Sequence, residues 1–264
     1  MIATTILKKL IASDGDPIQY HLHTEKGLVL LNDFIGKEIT IEFSGTIYCK
    51  TCGRQTKKSF SQGFCYPCFR SAPEASPCII RPELCEAHLN KGRDVEWEQH
   101  YHNQPHVVYL ASSSAIKVGV TQAANIPTRW IDQGASSAVV IARTPHRQIA
   151  GMIEVELKKN FTDKTHWQKM LRNDVLEDVD FRESFNTALG SIPDKLKNYL
   201  HLDTSIFKGR YPVLEYPIKV VSFNQEKSPS ISGVLNGIKG QYLLFDANNC
   251  LLYTSDAADD RPRV

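Results

Sequence analysis

The chain has 264 residues, of which 42% are hydrophobic and 23% are charged, and its formal net charge is +2. This length can build two or three modules, and the composition is ordinary for a soluble globular protein. The longest apolar runs, such as LVLL and AVVIA, are far too short to span a bilayer, and the N-terminus lacks a secretory signal pattern. We therefore expect a cytoplasmic protein without membrane contact.

Residues 1–47 are predicted to form a small β region. The stretches IQYHLH and EITIEFSG alternate apolar and polar residues, and turn signals occur at SDGDP and EKG.

Residues 48–103 form a cysteine-rich segment in which we expect little regular structure. Two C-x-x-C pairs, separated by twelve residues, supply Cys49, Cys52, Cys65 and Cys68. Four thiolates at about 2.3 Å from one ion make a closed tetrahedral site, which is structural rather than catalytic. A disulfide would conflict with a reducing cytoplasm, and a redox C-x-x-C has no reason to occur twice. The spacing therefore predicts structural zinc.

A second zinc ion is a weaker prediction from the same segment. Cys85 and His88 are three residues apart and can face one ion from a helical turn. The predicted set is Cys78, Cys85, His88 and one of His100, His102 and His106, of which His102 is preferred. The alternative is two buried free cysteines and a surface histidine.

The first cysteine set lies in a basic and aromatic stretch. Residues 44–73 contain no acidic residue, and they carry Lys50, Arg54, Lys57, Lys58 and Arg70 among Tyr48, Phe60, Phe64, Tyr66 and Phe69. Positive groups beside exposed aromatic rings suit phosphate contacts and base stacking. The alternative is a small aromatic core around the metal with solvated lysines.

Residues 104–205 are predicted to form an α/β module. The strands VVYL and AIKVGV flank the polar turn ASSS as a hairpin, and a helix begins near Pro127, which Asn125 can cap. A strand, SAVVIAR, and the amphipathic helix RQIAGMIEVELKKN follow, with Ile149, Ile153 and Leu157 on one face. Helices are also predicted at DKTHWQKMLRN and SIPDKLKNYL, and a C-terminal β segment over 206–249.

Four residues of this module suggest phosphodiester chemistry. They are Tyr109, Gly119, Arg129 and Glu154. A tyrosine, a fork-shaped cation for phosphate and a carboxylate for a divalent metal suffice for phosphodiester cleavage. Simpler alternatives are an Arg129–Asp132 helix pair and a Glu154–Lys158 pair.

Tyr109, Lys117-Val118-Gly119, Arg129 and Glu154 resemble the GIY-YIG endonuclease module in order and approximate spacing, over roughly residues 106–160. The resemblance implies that Tyr109 helps to activate water, Arg129 binds the scissile phosphate and Glu154 holds Mg or Mn. VVY replaces GIY and KVG replaces YIG, so Lys117 stands where the second tyrosine would be. Asn160 is the candidate for the later asparagine of that family.

The whole chain is also similar to an uncharacterised prokaryotic zinc-ribbon family, domain of unknown function 2797. The similarity lies in RPELCEAH, KVGVT, RWIDQGA, DKTHW and GIKGQYL. It implies the same zinc-binding segment and order of modules.

The last fifteen residues are interpreted separately. CLLYTSDAADD, within residues 250–264, resembles a translated sequencing adapter over eleven residues. We expect the natural chain to continue differently after about Asn249; the alternative is a disordered acidic tail.

The sequence thus predicts an α+β protein with a small N-terminal β region, a four-cysteine, zinc-ribbon-like connector, a GIY-YIG-like α/β module and a C-terminal β segment. The leading function is zinc-containing nucleic-acid binding through Lys50, Arg54, Lys57, Lys58 and Lys117, extending to a divalent-metal-dependent endonuclease, with DNA or RNA left open. The alternatives are a zinc-stabilised protein-interaction scaffold with a degenerate nuclease-like core, and an enzyme acting on a small anionic substrate near Arg129 and Glu154.

Overall fold

The computed structural model describes residues 5–6, 8–61, 63–164, 166–176, 179–223, 229–246 and 249–252. The strands are β1 Ile11–Ser13, β2 Gln19–Thr24, β3 Gly27–Leu30, β4 Glu38–Glu42, β5 Ile47–Tyr48, β6 Gln55–Thr56, β7 His106–Ser112, β8 Ile116–Gln122, β9 Ser137–Thr144, β10 Phe207–Lys208, β11 Val221–Ser222, β12 Ser230–Lys239, β13 Tyr242–Phe245 and β14 Asn249–Leu252. The helices are α1 Tyr66–Ser71, α2 Val95–His102, α3 Thr128–Asp132, α4 Arg147–Leu157, α5 Trp167–Leu171, α6 Phe181–Ser191 and α7 Asp194–Lys197.

An antiparallel sheet of order β10-β9-β7-β8 lies at the centre of the predicted α/β module. All seven residues of β7 are buried, because side chains that alternate along the strand are covered on both faces. Val108 and Leu110 pack with α4, whereas Tyr109 on the opposite face packs with Trp130 of α3. The predicted hairpin is confirmed as β7–β8.

Helix α4 covers one face of this sheet with the predicted apolar stripe. Ile153 and Leu157 are fully buried together with Ala150, and Ile149 is partly buried at the margin.

Helix α3, which precedes α4 in the chain, differs from the prediction at its start. Helix α3 begins after Pro127, whereas Asn125 belongs to a preceding 3-10 turn and donates to Gln122.

The N-terminal and C-terminal strands share one hydrophobic core. Strand β4 pairs antiparallel with β12, in a sheet of order β11-β14-β13-β12-β4, and a separate sheet has the order β1-β2-β3. Ile18 and Tyr20 of the N-terminal part pack in the same cluster as Leu235 and Ile238. The β region expected at 1–47 therefore depends on strands nearly 200 residues later in the chain.

Strand β14 crosses the boundary expected near residue 250. Its backbone pairs with β13 antiparallel and with β11 in parallel. Residues 253–264 lie outside the described part of the chain.

The cysteine-rich segment has little regular structure, as expected. It consists of the two-residue strands β5 and β6, helices α1 and α2, and four 3-10 turns at Pro73–Ala75, Pro77–Ile79, Pro82–Leu84 and Ala87–Leu89. Among the helices that the structure describes, the longest have 11 residues, and none could carry the chain across a bilayer.

Candidate functional site

The first candidate site is the cluster of Cys49, Cys52, Cys65 and Cys68. The β5–β6 turn supplies the first two thiols and the start of α1 supplies the other two, and all four sulfurs lie within 4.8 Å of one another. The Sγ atoms of Cys52 and Cys65 are 3.8 Å apart. Ligand sulfurs at about 2.3 Å from a tetrahedral zinc ion lie about 3.8 Å from each other, so the four thiols could bind zinc.

The backbone turn of this cluster requires glycine. Gly53 donates its N–H to the carbonyl of Cys49 at 2.9 Å and has a φ of +69°, a conformation that glycine adopts without steric cost. Gly63 also has positive φ, at +113°.

The thiols influence one another's ionisation. Burial opposes ionisation of Cys49, but backbone amides of Cys52, Cys65 and Thr51 lower its pKa to about 6. Burial and neighbouring thiols raise the pKa of Cys68 to about 12. Negative charge therefore accumulates on part of the cluster, and a divalent cation would allow all four sulfurs to ionise.

The surface around this cluster is basic and partly aromatic. The four basic residues predicted to bind nucleic acid here are all exposed, namely Lys50, Arg54, Lys57 and Lys58. Tyr48 and Tyr66 are 43% and 55% exposed, whereas Phe64 is buried with Lys50 Nζ 4.3 Å above its ring. The aromatic residues thus divide between a small core and the surface.

A second cluster brings together Cys78, Cys85, Glu98 and His102. All four residues are buried, and their ligand atoms lie within 4.8 Å of one another. Three of the four belong to the set predicted for a second zinc ion. The ring of His88 instead stacks on that of His146, with centroids 4.2 Å apart, and Glu98 occupies its place.

Sequence reasoning missed Glu98 although a signal exists. Glu98 and His102 are four residues apart on α2, so their side chains lie on the same helical face. Asp94 caps this helix by accepting from the N–H of Trp97 at 3.0 Å. The shorter Cys85–His88 spacing was misleading, because Cys85 follows the Pro82–Leu84 turn in an extended conformation, whereas His88 lies in the next turn, Ala87–Leu89.

Tyr109 and Arg129 form the centre of the third candidate site. The Tyr109 hydroxyl donates to Gln133 Oε1 at 2.8 Å, and a Cβ added to Gly119 on β8 would lie 2.5 Å from that hydroxyl. Burial raises the pKa of Tyr109, although the charge of Arg129 acts in the opposite direction. The phenol therefore stays neutral near pH 7, with the guanidinium beside it.

Glu154 of α4 is close enough for its charge to act on Tyr109, and its own partner is Lys158. Lys158 Nζ lies 3.3 Å from Glu154 Oε2 and 3.2 Å from Asp163 Oδ2. Burial raises the pKa of Glu154, while Lys158 lowers it. The i,i+4 pairing considered as the simpler alternative is thus present.

Three other residues named from the sequence have partners of their own. Lys117 is buried on β8, where its backbone bridges to Thr162. Asn160, the candidate for the family asparagine, donates to Ser191. Asp132 forms an ion pair with Lys9 and accepts from Gln241 at 2.8 Å, so its position is determined by the terminal segments.

These features define a mixed α and β protein with several small sheets and a four-cysteine cluster that could bind zinc. The model of the family described as "Protein of unknown function (DUF2797)" matches residues 36–255, so the chain belongs to this family. No curated protein and no solved structure matched the chain. The family membership expected from the sequence is confirmed, whereas the zinc-ribbon and GIY-YIG resemblances remain predictions.

Proposed function

We propose that this protein is a cytoplasmic nucleic-acid-binding protein whose binding surface is built on a structural zinc ion. Cys49, Cys52, Cys65 and Cys68 would hold the ion in a closed site. The observation that carries the proposal is the surface over this cluster, which exposes four basic side chains and two tyrosines and has no acidic residue within 44–73. Cations contact phosphates, and exposed tyrosine rings stack on bases.

The α/β module would receive the phosphodiester. Arg129 offers a planar guanidinium that can contact two phosphate oxygens, and it lies against Tyr109. Lys117, the fifth basic residue predicted for nucleic-acid contact, belongs to the same sheet, but its side chain is buried and it is not part of this proposed surface.

A divalent cation bound at Glu154 would extend this proposal to endonuclease activity. Lys158 Nζ lies between the Glu154 and Asp163 carboxylates, so one positive charge already sits where both carboxylates converge. Oxygen ligands of this kind suit Mg²⁺ or Mn²⁺. In this proposal Glu154 would hold the cation, Arg129 would bind the phosphate and Tyr109 would help to activate the attacking water.

The binding test uses labelled single- and double-stranded DNA and RNA in fluorescence anisotropy. Affinity should fall as salt rises, and Lys57→Gln/Lys58→Gln should weaken binding and reduce the salt slope by about 2. The matched control is Lys26→Gln/Lys195→Gln, which removes the same charge from exposed positions on other elements. Equal loss in both double variants would contradict a specific surface over the zinc cluster.

The cleavage test adds Mg²⁺, Mn²⁺ or EDTA to the same substrates. Metal-dependent cleavage should disappear in Glu154→Ala and in Arg129→Ala but persist in Glu156→Ala, a carboxylate on the same helix paired with Lys159. Binding without cleavage would limit the protein to recognition.

A protein-interaction scaffold is the second candidate function. It is favoured by Ile80, Leu84 and Leu89, which are 47%, 46% and 52% exposed on or directly after the 3-10 turns of the cysteine-rich segment. Absence of both nucleic-acid binding and cleavage, together with a protein partner whose binding is lost in Leu84→Asp, would support the scaffold.

A further inference from the structure

We infer that Cys78, Cys85, Glu98 and His102 bind a second metal ion of the zinc class, which fastens residues 76–102 to helix α4. This inference does not depend on nucleic-acid binding. Two thiols, one imidazole and one carboxylate form a complete set of zinc ligands, so no coordination position would remain for substrate. The site would therefore be structural.

The distances suit shared coordination better than direct hydrogen bonding. His102 Nδ1 lies 3.8 Å from Glu98 Oε2 and 3.8 Å from Cys78 Sγ. A nitrogen–oxygen separation of this size is beyond hydrogen-bond range. Ligand atoms around one tetrahedral zinc ion lie about 3.4–3.8 Å apart, so only a small contraction would bring these atoms onto an ion.

Burial makes a cation at this position physically reasonable. Glu98 is 2% exposed and His102 is 3% exposed, and both cysteines are equally enclosed. A buried carboxylate costs several kcal/mol unless it is paired and hydrogen-bonded. The backbone N–H of Arg93 donates to Glu98 Oε1 at 3.0 Å, and a divalent ion would offset two of the three negative charges of the two thiolates and the carboxylate.

The residues around the cluster hold its ligands in place. The Ser76 hydroxyl lies 3.1 Å from Cys78 Sγ, and a side chain at Gly92 would collide with the Glu98 carboxylate, so glycine leaves the space that the carboxylate occupies. Such outer contacts orient metal ligands and are a regular part of zinc sites.

The site lies where the cysteine-rich segment meets α4. Arg147, the first residue of α4, donates to the carbonyls of Cys78 at 3.1 Å and Ile79 at 2.8 Å. One turn later, Gly151 lies directly against the backbone of Pro82 and Glu83. Because α4 also carries Glu154, an ion at this cluster would help to set the position of the third candidate site.

The first test counts metal ions in the full chain by native mass spectrometry after purification with zinc. Two zinc ions per chain are expected, and a single ion would overturn the inference. The ligand set can be tested in the wild-type protein by zinc-edge X-ray absorption. Six cysteines shared by two ions give an average of three sulfur ligands and one nitrogen or oxygen ligand per ion, whereas a lone four-cysteine site gives four sulfurs.

Variants then assign the individual ligands. Glu98→Ala and His102→Ala should each lose one ion. The controls Glu96→Ala and His100→Ala, at exposed positions of the same helix, should keep both, as should His88→Ala. Loss of an ion in His88→Ala with retention in Glu98→Ala would refute this ligand set. If Glu98→Ala does not fold, the average number of sulfur ligands per zinc ion in the wild-type protein still distinguishes one site from two.

Discussion

Gly151 of α4 gives the sharpest test of how the cysteine-rich segment meets the central module. A Cβ added at this position would overlap the backbone of Pro82 and Glu83, including Glu83 Cα at 2.9 Å. Backbone atoms cannot rotate away as a flexible side chain can, and Arg147 ties the same segment to α4 through two carbonyls. Gly151→Ala should therefore push the two elements apart.

The expected magnitude combines two opposing effects. Alanine is favoured over glycine in a helix by about 0.5–1 kcal/mol, whereas overpacking a close contact costs about 1–3 kcal/mol. The net expectation is a loss of about 1–2 kcal/mol of unfolding free energy. For a chain of this size, such a loss lowers the Tm by about 2–8 °C.

Thermal unfolding at a fixed zinc concentration measures this change, with Gly190→Ala as the matched control. Gly190 is also helical, on α6, and an added Cβ there meets no atom of the described structure within 4 Å. Gly190→Ala should raise the Tm slightly, by helix propensity alone. If the two variants behave alike, the close packing of α4 on the Pro82–Leu84 turn is not as described.

Three further predictions concern the other parts of the molecule. Cys52→Ser should release zinc, which metal analysis measures, while the central sheet stays folded. Trypsin should then cleave faster at Lys57 and Lys58. An unchanged zinc content would argue against the four-cysteine site. Burial lowers the pKa of Lys239 to about 8, whereas a lysine in the unfolded chain has a pKa of about 10.4. Between these two pH values the unfolded chain binds more protons than the folded chain. The free energy of unfolding should therefore rise with pH in this range, by up to about 3 kcal/mol. Urea midpoints from pH 7.5 to 10 should show this rise in the wild type but not in Lys239→Met. Gly119→Ala should displace the Tyr109 ring and lower the free energy of unfolding by about 1–3 kcal/mol. Tyr109→Phe removes one hydrogen bond and should lower it by about 1 kcal/mol. Equal Tm values for the two variants would contradict the packing of the ring over Gly119.

Several local features were predictable because neighbouring residues encode them. The spacing of Cys49, Cys52, Cys65 and Cys68 places two thiols on each of two turns, and the structure brings all four together. The strands VVYL and AIKVGV on either side of the polar turn ASSS predicted the β7–β8 hairpin, in which the structure places Tyr109 opposite Gly119, and the stripe on α4 predicted its buried face. Each of these patterns involves residues that are close together in the sequence.

The second cluster shows where local spacing was insufficient. Cys85 and His88 looked like one ligand pair, but Cys85 follows one 3-10 turn and His88 lies in the next, where its ring stacks on that of His146. Glu98 completes the cluster because α2 packs against those turns. Whether His88 or Glu98 joins the cluster depends on how the cysteine-rich segment folds back on itself. The spacing between two residues does not contain that information.

By itself, the sequence determined the β7–β8 hairpin, the buried face of α4 and the four-cysteine cluster, because strand and helix periodicity and ligand spacing are local properties. Helix α6 was not predicted, and the helix expected at SIPDKLKNYL is only Asp194–Lys197. The tertiary structure alone decided which distant elements meet. Strand β4 joins β12 with Ile41 opposite Ile231, and Gln241 connects Asp132 of α3 to Leu10. Such pairings depend on shape, charge and burial between segments far apart in the chain, where many alternatives share the same local pattern.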